Sequence, residues 1–327
     1  MKVNSLRFGA DDATALAFFR QHGYVVLCDV LQDADLKRVE QGWDAVVTEG
    51  AAANALDADT FVQRYPQNRD LWRKHTDFRT LLFETRQAEV AQRLLGTSGV
   101  RLFHDHAIAK PVHASGTIPW HQDSAYWPLD RTGLSIWTAT ADVGLEGGCL
   151  ELLDASHQDG PCAPQDFLAR DPAGAPSDQD PRLVAVPVRR GESVVLSGLT
   201  WHRSRPNTEA GRRLAYLTLW VPATARFRPE HAAWHPSGRH VPVPAGERLE
   251  GDWFPLFGSV AVSDEGEPVA FAPPARVQGP SMFTASQDIR RRSVARDVYL
   301  QAPLRWWSLV GARIAEDIAK DAADADR

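Results

Sequence analysis

Between Arg101 and Val221 the chain is a succession of short apolar or alternating stretches broken by Gly, Pro, Asp and Asn, a rhythm that points to antiparallel sheet. The predicted strands are Arg101 to Lys110, Thr117 to His121, Leu134 to Val143, Leu150 to Leu153, Leu183 to Val188, Ser193 to Leu196 and Arg213 to Val221. In the first of these, Leu102, His104, His106, Ile108 and Lys110 share one parity, whereas Phe103, Asp105, Ala107 and Ala109 share the other. Side chains alternate across a strand, so the histidines and the lysine occupy one face and Asp105 the opposite one. Many short strands of this kind predict a mainly β fold with flanking helices, built as a jelly roll or barrel.

The flanks fit a single elaborated domain over residues 1–327, which is long enough to bury an ample core. Residues 1–100 are read as helical and strand support, 101–221 as the jelly-roll core, and 222–327 as a segment that wraps it. A helix is expected over Asp11 to Gln21, capped by Asp11 or Asp12 and stopped by His22-Gly23; a strand Tyr24 to Cys28 and a helix Ala34 to Val47 follow. The Pro-, Asp- and Gly-rich stretch 158–182 exceeds an ordinary connection and is read as a lid. Leu304 to Lys320, with Trp306, Trp307, Leu309, Val310 and Ile314, is read as a closing amphipathic helix before a frayed end.

Three cysteines, Cys28, Cys149 and Cys162, are odd in number and far apart, which gives neither a disulfide framework nor a close-spaced zinc motif. Met1 to Ala10 lacks the basic start and apolar run of a secretory signal, and no stretch is apolar enough to span a bilayer. A formal net charge of −6 argues against a partner held by nucleic-acid phosphates. The expectation is a cytoplasmic protein acting on a small molecule, with no nucleic acid and no membrane; oligomeric state is not legible.

The chemistry concentrates in Trp120-His121-Gln122-Asp123. On an extended strand, His121 and Asp123 face one way and Gln122 the other, so the two can aim at one metal. Such a pair by itself is common and usually structural. With His202, in Leu199-Thr200-Trp201-His202, it becomes two imidazoles and one carboxylate, the facial set that leaves coordination positions of non-haem Fe(II) open. A rival pair, His104 and His106, could serve a cupin-type centre, but the downstream glutamate such a centre needs is missing. Those two are read as wall residues that touch substrate or, equally, as satisfied core histidines. His157 is read as structural, and His231, His235 and His240 are assigned no role.

Taken together, Trp120 to Asp123 with Tyr126-Trp127, Gly147-Gly148-Cys149-Leu150 running to Ser156-His157, and Gly191-Glu192-Ser193 through His202 to Arg213 resemble successive blocks of the phytanoyl-CoA dioxygenase-like oxygenases, which use Fe(II) and 2-oxoglutarate. The resemblance covers roughly Ala15 to Val221 and implies a double-stranded β-helix of cupin type. It also implies His121, Asp123 and His202 as iron ligands and catalytic centre, with O2 as the oxidant. Arg213, eleven residues beyond His202, is where this family places the arginine that holds the remote carboxylate of 2-oxoglutarate. Ser204 is implied as a hydrogen-bond donor to the same carboxylate and Trp137 as a cosubstrate contact. Arg212 is expected on the opposite face as a solvated charge, a register slip being able to exchange it with Arg213.

The implied reaction is oxidation of an unactivated C–H bond, with hydroxylation the default and desaturation, ring closure, epoxidation or epimerisation open. Halogenation is not implied, since halogenating members lack the carboxylate that Asp123 supplies. A natural-product intermediate is the expected substrate, with Tyr126 and Trp127 as pocket walls or as packing. The alternative is a non-oxidative cupin-like metal isomerase or a ligand-binding protein on the same barrel, which would ignore 2-oxoglutarate.

Overall fold

The computed structural model describes residues 1–110, 117–163, 174–209, 211–232 and 241–261. Twelve strands are present among them: β1 (Lys2–Val3), β2 (Tyr24–Leu27), β3 (Gln67–Arg69), β4 (Gly99–Lys110), β5 (Ile118–His121), β6 (Leu134–Ala139), β7 (Leu150–Leu153), β8 (Leu183–Val186), β9 (Ser193–Ser197), β10 (His202–Ser204), β11 (Arg213–Pro222) and β12 (Leu256–Gly258). Five α-helices, α1 (Ala13–His22), α2 (Asp33–Asn54), α3 (Ala58–Arg64), α4 (Thr76–Glu84) and α5 (Gln87–Leu95), precede β4. The larger sheet runs β12-β4-β11-β6-β9-β2, with β3 also on β4; the smaller runs β1-β8-β7-β10-β5. Pairing is antiparallel except between β1 and β8. This is the double-stranded β-helix, and among the described residues no ladder joins its two sheets.

Alternation decides which layer each strand residue feeds. On β6, β9 and β2, Trp137, Ala139, Val194, Leu196, Tyr24 and Val26 point between the sheets and pack with Leu150, Leu152, Val184 and Val186 of the smaller sheet. The opposite parity, Leu134, Ile136, Val195, Leu214, Tyr216 and Trp220, packs against the helices through Phe19, Leu36, Val39, Trp43, Phe78 and Leu81. Each of these buried aliphatic side chains contributes about 1.5–3 kcal/mol, so the helical layer anchors the sheet that carries the site. Helix α1 starts at Asp12, whose side chain accepts from the Thr14 amide, and stops at Gly23, which takes φ +76° and donates to the Phe19 carbonyl. A β-carbon at Gly23 would lie 2.3 Å from His157 Nδ1.

The predicted strands all form, with ends shifted by a few residues: Leu134 to Val143 stops at Ala139 and Leu183 to Val188 at Val186. The helix read over Ala34 to Val47 extends to Asn54. Helices α3, α4 and α5 were not expected, nor was β12, which adds to the edge of β4 inside the segment read as wrapping the core. The long stretch 158–182 is described at both ends, 158–163 and 174–182. Its centre and the expected closing helix Leu304 to Lys320 lie outside the described residues, as do His235 and His240.

Candidate metal centre

His121 ends β5 and His202 opens β10, and the two are direct cross-strand partners, with ring centroids 4.0 Å apart. The strand that bears His121 stops there, and Asp123 begins a short 3-10 turn over Asp123–Tyr126. The predicted strand Thr117 to His121 ends where β5 does, and the shared face argued for His121 and Asp123 therefore has to cross a strand end. The geometry survives because Gln122 keeps an extended conformation, φ −113° and ψ 132°, so its neighbours still face the same way. Gln122 points away as expected. Its buried amide donates to the carbonyls of Gly160 (3.0 Å) and Leu199 (2.9 Å) and accepts from the Cys162 amide (2.8 Å), tying both flanking loops to the centre.

Asp123 Oδ1 lies 3.5 Å from His121 Nε2 and 3.6 Å from His202 Nε2, and one ligand atom from each residue falls within 4.8 Å of the others. The donor set fits a metal. His121 Nδ1 lies 2.8 Å from the Pro119 carbonyl and His202 Nδ1 2.9 Å from that of Thr200, so each Nδ1 carries the proton and each Nε2 turns a lone pair inward. Burial, reinforced by His121, lowers the His202 pKa to about 4, leaving the ring neutral near pH 7. Burial works against ionisation of Asp123, but the His202 and His121 rings and the Ser135 hydroxyl, which donates to Oδ2 at 2.5 Å, outweigh it and hold the carboxyl well below its ordinary range. Gly198 permits this packing: a β-carbon there would meet Ser124 Oγ at 2.1 Å, on the turn that carries Asp123.

The inner face of the larger sheet also carries a cationic pair. Arg213 and Lys110 are cross-strand partners on β11 and β4, both buried. The Arg213 guanidinium lies 5.0 Å from the Trp137 ring centroid, and its Nε and Nη1 have no hydrogen-bond partner. Ser204 Oγ, two residues past His202 on the same face, is buried and equally unpartnered. Orphaned donors of this kind are costly in a folded protein unless a ligand meets them, and they suit the far carboxylate of a dicarboxylate. Arg212 is exposed and pairs with Asp44 at 3.6 Å, so the register is the expected one.

Lys110 is a member of this site that the sequence did not flag beyond its parity. Its Nζ donates to the carbonyls of Ser204 (3.1 Å) and Arg205 (2.6 Å), and burial together with Arg213 lowers its pKa to about 6. Ser135 shares the parity of Trp137 on β6, and that signal could have found it. Asn207 donates to the Lys110 and Gly211 carbonyls and shapes the turn before β11. Tyr126 and Trp127 are buried in an apolar cluster with Phe103, Leu219 and Phe254. His157 sits outside the site, 3.1 Å from the Arg20 carbonyl, and His231 Nδ1 bonds the Leu129 carbonyl.

A double-stranded β-helix with a His-x-Asp…His cluster between its sheets is the architecture of the non-haem iron, 2-oxoglutarate oxygenases. The chain belongs to one family of these, the phytanoyl-CoA dioxygenase (PhyH) family, whose profile matches residues 19–215. It is 33% identical over 151 residues to mouse (Mus musculus) phytanoyl-CoA dioxygenase domain-containing protein 1, covering 42% of this chain and 48% of that one. The chain thus spans about half the length of the curated relatives it matches. Among solved structures it is similar to the non-heme alpha ketoglutarate dependent carbocyclase SnoK from nogalamycin biosynthesis, with TM-score 0.61, 25% identity, and 77% of this chain and 99% of that chain covered. It is also similar to EvdO2 from Micromonospora carbonacea var. aurantiaca complexed with 2-oxoglutarate, with TM-score 0.52, 25% identity and coverage of 68% and 94%. Among the described residues, no helix is long and apolar enough to cross a membrane.

Proposed function

We propose that the chain is one oxygenase domain that binds Fe(II) at His121, Asp123 and His202 and 2-oxoglutarate at Arg213, Ser204 and Trp137, and that it oxidises an unactivated C–H bond of a small molecule, by default to the alcohol. The observation that carries this reading is the convergence of His121 Nε2, His202 Nε2 and the Asp123 carboxylate, together with a buried Arg213 guanidinium whose Nε and Nη1 have no hydrogen-bond partner. Iron with bound 2-oxoglutarate supplies the O2 activation, and the chain supplies position, dryness and charge. Arg213 and Ser204 orient the cosubstrate from its far end, Trp137 packs its length, and Ser135 keeps Asp123 aimed. No proton shuttle is needed, because none of these groups has to change protonation for C–H oxidation.

A natural-product intermediate is the proposed substrate, supported by the likeness to SnoK, which acts in nogalamycin biosynthesis. Since SnoK is a carbocyclase, the ligand set alone does not select hydroxylation over ring closure. The test is an anaerobic titration of the apo protein with Fe(II) and then 2-oxoglutarate, followed by the visible charge-transfer band of the chelate. A band that His202→Ala abolishes supports the centre. A folded protein that retains zinc, shows no band and forms no succinate would return the non-oxidative alternative.

A further inference from the structure

The outer face of the smaller sheet carries a charge cluster directly behind the proposed iron ligands. His202 and Ser204 of β10 share the inner face with their partners Leu152 and Leu150 of β7, so Arg203 and its partner Glu151 point outward. Both are nevertheless buried. Arg203 Nε donates to Glu151 Oε2 at 2.5 Å and its Nη1 to Asp178 Oδ1 at 2.5 Å. Arg205 Nε donates to Glu151 Oε1 at 2.7 Å, and its Nη2 lies 3.5 Å from Asp178 Oδ2. Two arginines and two carboxylates thus alternate in a closed ring. The Arg203 guanidinium also lies 4.5 Å from the ring centroid of Trp120, the residue before His121.

Asp178 belongs to the arm 174–182, which returns along the back of this sheet. Ala175 of the same arm packs against Trp120, Leu153, Leu183 and Trp201, an apolar cluster on the outer face. The other described end, 158–163, is held by Gln122, whose side chain bonds the Gly160 carbonyl and the Cys162 amide. Both described ends of the stretch read above as a lid are therefore fastened behind the metal centre, and each is fastened to a residue adjacent in sequence to a proposed ligand. Strand β10 needs such support. It has three residues, and its pairing with β5 shifts register between His202 and Ser204. A slip of one residue would turn His202 outward. Burying paired charges adds little stability over apolar packing of the same volume, so geometry explains the ring better than stability does.

We infer that Arg203 is a positioning residue for the metal centre and that Asp178 docks the arm 174–182 onto it, the closed ring holding β10 in the register that aims His202 at Asp123. This rests on the metal site of the oxygenase reading above. The arm is then a brace whose grip, exerted from outside the sheet, sets how tightly and in what geometry the metal is held.

The test titrates the apo protein with Co(II), a stand-in for Fe(II) whose visible d–d bands report ligand geometry. The Asp178 side chain is 55% exposed, so Asp178→Asn removes the charge at little cost to the fold. Glu146→Gln, which neutralises an exposed carboxylate on the loop before β7, controls for the lost charge. Asp178→Asn should weaken Co(II) binding roughly three- to tenfold beyond Glu146→Gln and alter the bands, and Asp178→Glu should restore both. Arg203→Gln should weaken binding by roughly tenfold or more, with Arg203→Lys between it and wild type. The urea midpoint of apo Asp178→Asn should match that of wild type, which separates positioning from a loss of folding and keeps the test decisive where Arg203→Gln does not fold. An Asp178→Asn protein that binds Co(II) as Glu146→Gln does, that binds weakly with wild-type bands, or whose apo midpoint falls overturns the inference. Failure of the metal reading registers earlier, as wild-type protein that binds no Co(II) or binds it unchanged after His202→Ala, and it removes the inference with it.

Discussion

Asp105 makes the stability of this fold depend on pH in a direction opposite to most carboxylates. It lies on the helix-facing side of β4, fully buried, and its Oδ2 accepts from the Trp72 amide and the Tyr216 hydroxyl, each at 3.0 Å. Burial, with Asp70 adding to it, raises its pKa from 3.8 to about 7 despite those hydrogen bonds. Below pH 3.8 both folded and unfolded forms hold the proton. Between about 4 and 7 the unfolded chain releases it while the folded one keeps it, so stability falls as pH rises. The full interval corresponds to about 4 kcal/mol, and relaxation around the charge reduces the expected loss to about 2–4 kcal/mol by pH 8. Asp105→Asn keeps the acceptor for Trp72 and Tyr216 and removes the ionisation. Urea denaturation of both proteins at pH 5 and pH 8 should show the variant gaining about 1.5–2.5 kcal/mol relative to wild type at the higher pH, because roughly two pH units of the interval lie between them. Parallel stability–pH curves for the two proteins would refute the reasoning, because any other titrating group is common to both.

Further predictions concern the site. Arg213→Gln, which removes the buried charge while keeping a side-chain donor, should weaken 2-oxoglutarate binding by roughly 30- to 150-fold, about 2–3 kcal/mol, in anaerobic calorimetry; unchanged affinity would move the cosubstrate elsewhere. Lys110, lowered to about 6, is mostly neutral at pH 7.5, and a carboxylate arriving beside it favours the ammonium. Binding of 2-oxoglutarate should therefore take up as much as one proton, and affinity should rise as pH falls towards 6. Titrations in buffers of different ionisation enthalpy measure this, and Lys110→Met should remove it; net proton release would contradict the assignment. Gly198→Ala should push the Ser124 hydroxyl from its place, shift the turn bearing Asp123, and weaken Fe(II) binding by about tenfold, while Gly9→Ala, whose added carbon would meet nothing closer than Asp29 Oδ2 at 3.8 Å, should leave iron binding unchanged.

Legibility in the sequence followed the range of the signal. The strand pattern and the His-x-Asp pair were readable because period-two alternation and that spacing are local, His202 was the histidine that could complete the set, and the resemblance added Ser204, Trp137 and Arg213. The parity of β4 correctly separated His104 and His106 from Asp105, and it put Lys110 on the interior face without disclosing that Arg213 lies beside it. Helices α3 to α5 escaped because their apolar faces are completed by tertiary contacts: Phe78 and Leu81 of α4 acquire meaning only against Tyr216 and Trp43. Strand β3 was invisible for the same reason, since it is only three residues long and exists by pairing with β4. The shared face argued for His121 and Asp123 holds although β5 ends at His121, because one extended residue, Gln122, is enough to align its neighbours.

The orientation of the two imidazoles is written into the main chain. The acceptors that fix their tautomers are the carbonyls of residues 119 and 200, which any amino acid at those positions would provide. Asp123, in contrast, is braced by a hydroxyl that only serine or threonine can offer at position 135. Mutational drift therefore meets unequal resistance around this centre. Position 119 should tolerate broad substitution in a saturation library selected for iron binding, position 200 should be confined only by its own buried hydroxyl, which donates to the Gly23 carbonyl, position 135 should collapse to Ser or Thr, and a lineage acquiring new substrates can rebuild the surrounding walls without retuning the histidines.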